Sequence, residues 1–158
     1  MDGLNKTGNF LCACHHGFVL CLADMIKSGK LAKYSLACLN RLLNVYGQGL
    51  ALGYDIGCKH SITVSRSSLR HQAKALGLQL YVSAFHSYVH NQKCQLSFHP
   101  RFLTTARLED FKMNERLFSK QNLTTHLYHH DSTYHWHMTL NAFWSRWNDD
   151  CRAGIGEC

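Results

Sequence analysis

Between residues 31 and 46, apolar side chains return at steps of three and four. Leu36, Leu39, Leu43 and Tyr46 form a stripe, while Lys33, Asn40 and Asn44 fall off it. Only a helix of 3.6 residues per turn puts such positions on one face, so this segment must bury one side against other elements. Gly47 is a natural stop, because glycine takes the left-handed cap conformation without steric cost. Strand-like runs lie on both sides of this helix. In residues 9–14 (NFLCAC), Phe10, Cys12 and Cys14 share one face; HHG then reads as a turn, and FVLCLADM as a second strand of a hairpin. Residues 50–56 (LALGYDI) read as a strand ended by Gly57. The polar stretch KHSITVSRSSLRHQAKALG reads as a loop and then a short helix, and residues 78–85 (LQLYVSAF) as another strand. Further helices are predicted near residues 108–121 and 134–147. The order is hairpin, helix, strand, helix, strand, helices, which is an α/β pattern with mixed strand directions.

A chain of 158 residues with 46% hydrophobic and 17% charged residues can bury a core of about one domain, which excludes a disordered chain. A single proline, Pro100, leaves no Pro-rich linker. The formal charge of +7 suits an anionic partner such as nucleic acid, though ordinary basic proteins share it. The start MDGLNKTGNF has no basic segment followed by an apolar run, so no signal peptide is read there. The most apolar segment, FVLCLADM, is far too short to span a bilayer. An intracellular chain is expected, with its eight cysteines reduced and available for packing or for metal.

Two carboxylates stand in unusual places. Asp55 lies in the apolar context LGYDIGC, at the C-terminal end of a predicted strand, where α/β sheets bind ligands; the alternative is a turn-capping aspartate. Glu115 falls on a predicted helical stripe with Leu108, Phe111, Phe118 and Asn122, opposite Glu109, Lys112, Arg116 and Lys120. That phase predicts a buried carboxylate, which is costly unless it is paired or bound to metal. Oxygen donors from a strand end and a helix suit Mg²⁺, and such a site supports metal-assisted phosphodiester chemistry.

The segment FHSYVHNQKCQLSFHPRF spaces His86, His90 and Cys94 four residues apart. On one straight helix Cys94 lies about 12 Å along the axis from His86, too far to share an ion. A zinc site therefore requires the helix to break near Asn91, with Cys58 or Cys14 completing the set. Packing is the alternative reading. His126 and His130, one helical turn apart, read as a solvated polar face, and Trp136, Phe143, Trp144 and Trp147 as helix packing rather than base stacking. The sequence has no phosphate-binding glycine loop and no nucleophile elbow.

The blocks TGNFLCACHHGFVLCLADMIKSGKLAKYSLACLNRLL, GYDIGC, FHSYVHNQKCQLSFHPR and LEDFKMNERLFSK, in this order over about residues 7–147, resemble the Kyakuja-Dileera-Zisupton transposases, abundant in fungal genomes and often found beside a cysteine-cluster module. The resemblance implies a ribonuclease H-like mixed sheet flanked by helices, an acidic triad that works on DNA with Mg²⁺ or Mn²⁺, and a nuclear location. It implies that Asp55 is the second acid and Glu115 the third, and that His86, His90 and Cys94 are candidate zinc ligands. The family's first acid lies on a strand upstream of the block where this sequence starts, and Asp2 sits in a loop-like segment. Asn5 and Lys6 stand where relatives often carry an acid, and Cys14-His15-His16 replaces the usual Cys-Arg-His.

The expectation is thus a partial catalytic core over residues 1–147, incomplete at its N-terminus and inactive for want of the first acid, followed by an unassigned tail over 148–158. A non-enzymatic DNA-binding remnant and a zinc-stabilised interaction domain are the alternatives.

Overall fold

The computed structural model describes residues 6–29, 31–103, 109–124 and 132–156. Asp2, Asn5, Leu108, His126 and His130 lie outside them. The chain forms two compact units, residues 1–30 with 113–158, and residues 31–112.

In the first unit, β1 (Lys6–Ala13) and β2 (Val19–Ile26) pair antiparallel, with Leu11 opposite Leu22 and Cys12 opposite Cys21. The turn closes through Cys14 N–H to Phe18 O and Gly17 N–H to Cys14 O, both 3.0 Å. Gly17 has φ +91°, a conformation that a side chain would strain. The hairpin packs on α5 (Met113–Asn122) and α6 (Thr133–Gly156). Trp136, Leu140 and Trp144 recur every four residues along α6 and form a core with Leu11 and Leu117. The strand residue in that core is Leu11, on the face opposite Phe10, Cys12 and Cys14. Side chains then tie α6 to the hairpin backbone. Trp147 Nε1 donates to Gly17 O at 2.9 Å. Asn148 accepts from Val19 N–H at 2.9 Å and donates to Val19 O at 3.2 Å, so its amide acts as a strand partner. The helix runs past residue 147 to Gly156.

The second unit begins with α1 (Ala32–Tyr46), capped by Gly47, whose N–H donates to Leu43 O. Leu39 and Leu43 are buried as the stripe predicts and pack with Val64 and Ala73; Leu36, Leu50, Leu52 and Leu80 close around them. Tyr46 is exposed, and Tyr34, Cys38 and Leu42 widen the buried face. β3 (Ala51–Gly53) and β4 (Gln79–Tyr81) pair parallel, with Leu52 opposite Leu80. Parallel neighbours need a crossover, here α2 (Gly57–Ser65) and α3 (Arg70–Ala75).

The crossover is more helical than its polar sequence predicts. Ser61, Thr63 and Ser65 donate their hydroxyls to carbonyls of the preceding turn, Cys58, Lys59 and Ile62, so polar side chains are satisfied inside a helix. β4 is shorter than predicted, because Val82 N–H leaves the strand direction and donates to Phe98 O at 2.9 Å. Beyond it come a 3₁₀ turn (Ser87–Val89), α4 (Gln92–Phe98) and a second 3₁₀ turn (Pro100–Phe102). The architecture is mixed α/β with small sheets. No helix of the described residues is long and apolar enough to cross a membrane.

Candidate functional site

The end of β3 builds the first part of the site. Tyr54 N–H donates to Tyr81 O at 2.9 Å, and Gly57 N–H donates to Tyr54 O at 2.7 Å, so the chain turns sharply at Asp55. Gly57 allows this: a Cβ there would lie 2.2 Å from Tyr81 O, a backbone atom that cannot move aside. Asp55 thus stands just beyond the C-terminal end of a parallel strand, with its side chain 43% exposed. Its Oδ1 lies 3.2 Å from His86 Nδ1. Ser83 Oγ is 3.1 Å from the same nitrogen and steadies the ring.

His90 and Cys94 part company with His86. The 3₁₀ turn ends at His90, whose backbone is extended (φ −89°, ψ 154°), and Asn91 then caps α4 by accepting from Cys94 N–H at 2.9 Å. The helical run therefore breaks where spacing required it to break for Cys94 to approach. Cys58 and Cys94 each place Sγ 3.4 Å from His90 Nδ1. The other ring nitrogen, Nε2, lies 3.0 Å from the carbonyl oxygen of Asp55. Burial pushes the Cys94 thiol up to about 11, with the Cys58 thiol beside it adding to the rise. His86, expected with His90 and Cys94, instead contacts Asp55, and Cys58 takes the third place. The reason is the break at His90–Asn91, which turns the two histidines to different neighbours.

His60, in α2, is buried beside Ser35 Oγ, 3.5 Å from its Nδ1, and burial lowers its pKa. It contributes to packing rather than to either cluster.

Glu115 requires a correction. It is exposed in the first turn of α5, and the buried residues of that helix are Leu117 and Gln121. The predicted stripe assumed a helix from residue 108. The helix starts at Met113, because Glu109 Oε1 accepts from Phe111 N–H and Asp110 Oδ1 from Lys112 N–H, holding Phe111 at φ +54°. Phe111 precedes the helix and stacks on Tyr81 with ring centroids 5.1 Å apart. The burial argument for Glu115 as a ligand is thereby removed. An acid in a first turn is favoured by the helix dipole alone.

Sequence reasoning missed Ser83 altogether, since a serine in a strand-like run carries no pattern. It named Cys58 only as one of two alternatives.

Comparison with known proteins places this geometry in context. The family model described as Kyakuja-Dileera-Zisupton transposase matches residues 1–148. No curated protein and no solved structure matches the chain.

Proposed function

This chain belongs to the Kyakuja-Dileera-Zisupton transposase family, and from that premise we propose that it forms part of a ribonuclease H-like catalytic core for metal-dependent DNA strand cleavage and transfer. Asp55 and Glu115 are its candidate acids. The observation that carries the reading is the place of Asp55: a solvent-accessible carboxylate just past the end of a parallel strand, where α/β folds present ligands to solution. Its oxygen donors suit a hard cation such as Mg²⁺ or Mn²⁺. Such an ion, when bound, supplies activation of the attacking oxygen and stabilisation of the leaving one.

In this reading one N–H, at Nδ1 of His86, is shared between Asp55 Oδ1 and Ser83 Oγ, so the carboxylate is held on one side before a ligand arrives. The formal charge of +7 adds contacts to DNA phosphates that do not depend on base sequence. Exposure of Glu115 is compatible with a role at a solvent-facing site and leaves its assignment to the family resemblance.

The test is titration with Mn²⁺ by calorimetry, followed by incubation with a labelled DNA duplex, which a site holding two acids of a triad is expected to leave uncleaved. Expected are Mn²⁺ binding that is lost in Asp55→Ala, and DNA binding that falls steeply with salt. A folded Asp55→Ala protein that binds Mn²⁺ like the wild type would overturn the reading.

A further inference from the structure

We propose that Cys58, His90 and Cys94 form a zinc site that holds the turn carrying Asp55. The three donor atoms lie within 4.8 Å of one another, and each sulfur is 3.4 Å from His90 Nδ1. Zinc–sulfur and zinc–nitrogen bonds of about 2.3 and 2.0–2.1 Å, at tetrahedral angles, separate sulfur from nitrogen by about 3.5 Å. The sulfur–nitrogen edges of a zinc tetrahedron are therefore already present.

The tautomer agrees. A carbonyl oxygen only accepts, so the 3.0 Å contact with Asp55 O puts the ring proton of His90 on Nε2. Nδ1 is left with its lone pair facing the two sulfurs. A backbone carbonyl behind a ligating imidazole is the usual outer partner of a zinc-bound histidine.

Simple packing does not account for the group. Cys14, Cys21 and Cys151 are part-buried too, but at this site two sulfurs from different elements converge on one imidazole nitrogen at 3.4 Å, a polar contact that apolar packing does not call for. Two thiolates and an imidazole are also the donors that select zinc over Mg²⁺. Cation choice thus separates this site from the carboxylate of Asp55.

The ligands bracket the Asp55 turn. Its carbonyl is held by His90, and Cys58 follows it at the start of α2. A zinc ion joining Cys58 to His90 ties together two points of one turn, one by a side chain and one by a backbone hydrogen bond. Zinc at Nδ1 also makes the Nε2 proton a stronger donor to Asp55 O. Zinc binding stands on geometry alone, and its value to catalysis rests on the reading of Asp55 as a candidate acid.

The experiment uses the full chain, untagged and purified without chelator. Metal analysis is expected to find about one zinc per chain, and exchange for Co²⁺ is expected to give the absorption bands of tetrahedral thiolate coordination. Cys58→Ser and Cys94→Ser are expected to lose the metal, and His86→Ala to keep it. Hydrogen exchange over residues 54–58 is expected to quicken when a chelator strips the wild type and to slow again when zinc is returned.

Substoichiometric zinc in folded wild type, without a cobalt–thiolate spectrum, overturns the site. Retention by Cys58→Ser together with loss by His86→Ala overturns the ligand set. Unchanged exchange overturns the hold on Asp55. Where the serine variants fail to fold, stripping and cobalt loading of the wild type decide the matter. Absent Mn²⁺ binding in a zinc-loaded chain counts against the proposed catalytic reading and leaves the zinc site standing.

Discussion

The two compact units are held by different means. The unit of residues 1–30 with 113–158 is built on tryptophan. Trp136 and Trp144 fill its core, and Trp147 and Asn148 use polar atoms to bind the backbone of the hairpin. The unit of residues 31–112 is built on leucine, with Leu39 and Leu43 buried among other aliphatic side chains and no polar atom asked of them. Besides the buried Ser35–His60 pair, several of its polar side chains gather at one turn, where Asp55, Cys58, His86 and His90 meet through side chains and a carbonyl. The leucine cluster itself asks for no polar partners; the unit also buries His60 and Cys38, while Cys58, His86, His90 and Cys94 stay part-buried at its margin. The tryptophan unit spends its polar side chains on closing its own hairpin.

Truncation of the cores tests the contrast most strongly. Trp144→Ala is expected to cost about 3–5 kcal/mol, and Leu43→Ala about 2–5 kcal/mol, in denaturant unfolding. A loss below about 1 kcal/mol in either would show that the residue does not anchor its core.

Glycine substitutions sharpen it at a smaller scale. Gly57→Ala drives a Cβ into Tyr81 O, and overpacking of this kind costs roughly 1–3 kcal/mol. The same change at Gly154, in the exposed last turns of α6 with no atom within 4 Å of the new Cβ, is expected to stabilise by about 0.4–1 kcal/mol. Thermal melts of the two variants should move in opposite directions, and equal shifts would remove the close approach as the reason for Gly57.

The smallest effect is alkaline. Burial raises the Cys151 thiol above its ordinary value of 9.0, with the charges of Cys14 and Asp150 adding to the rise. The folded chain therefore keeps this proton while the unfolded chain releases it. Stability is fully present below pH 9.0 and is lost as pH rises through the folded value. Cys151→Ala is expected to flatten unfolding free energy across that window. A decline as steep as in the wild type would place the alkaline sensitivity elsewhere.

The parts read correctly from sequence are those set by short-range pattern. The hairpin, the helix ended at Gly47 and the presence of a strand near residue 50, read over 50–56 and observed over 51–53, each follow from residues within a few positions of one another. The family was also legible, because ordered blocks such as GYDIGC and FHSYVHNQKC carry it without reference to structure. Misreadings arose where a local polar group redirected the chain. Serine and threonine hydroxyls found carbonyl partners inside the crossover helix, so a polar run did not break it, and Glu109 and Asp110 delayed α5 until Met113, which moved Glu115 out of the buried face.

By itself the sequence determined the alternation of elements, the closeness of Asp55 to the end of a strand, and the presence of a histidine and cysteine block with too long a span for one helix; it ran that strand on to residue 56, where the structure ends it at Gly53 and puts Asp55 in the turn. Tertiary structure alone decided which of those side chains meet. Cys58 and Cys94 reach His90, and His86 reaches Asp55, only because the chain breaks at His90–Asn91 and the β3–α2 turn comes to the same place. Periodicity reports the face on which a residue lies. A ligand set depends on contacts across more than thirty residues, and their direction is settled by a capping bond and a turn that no repeat in the sequence encodes.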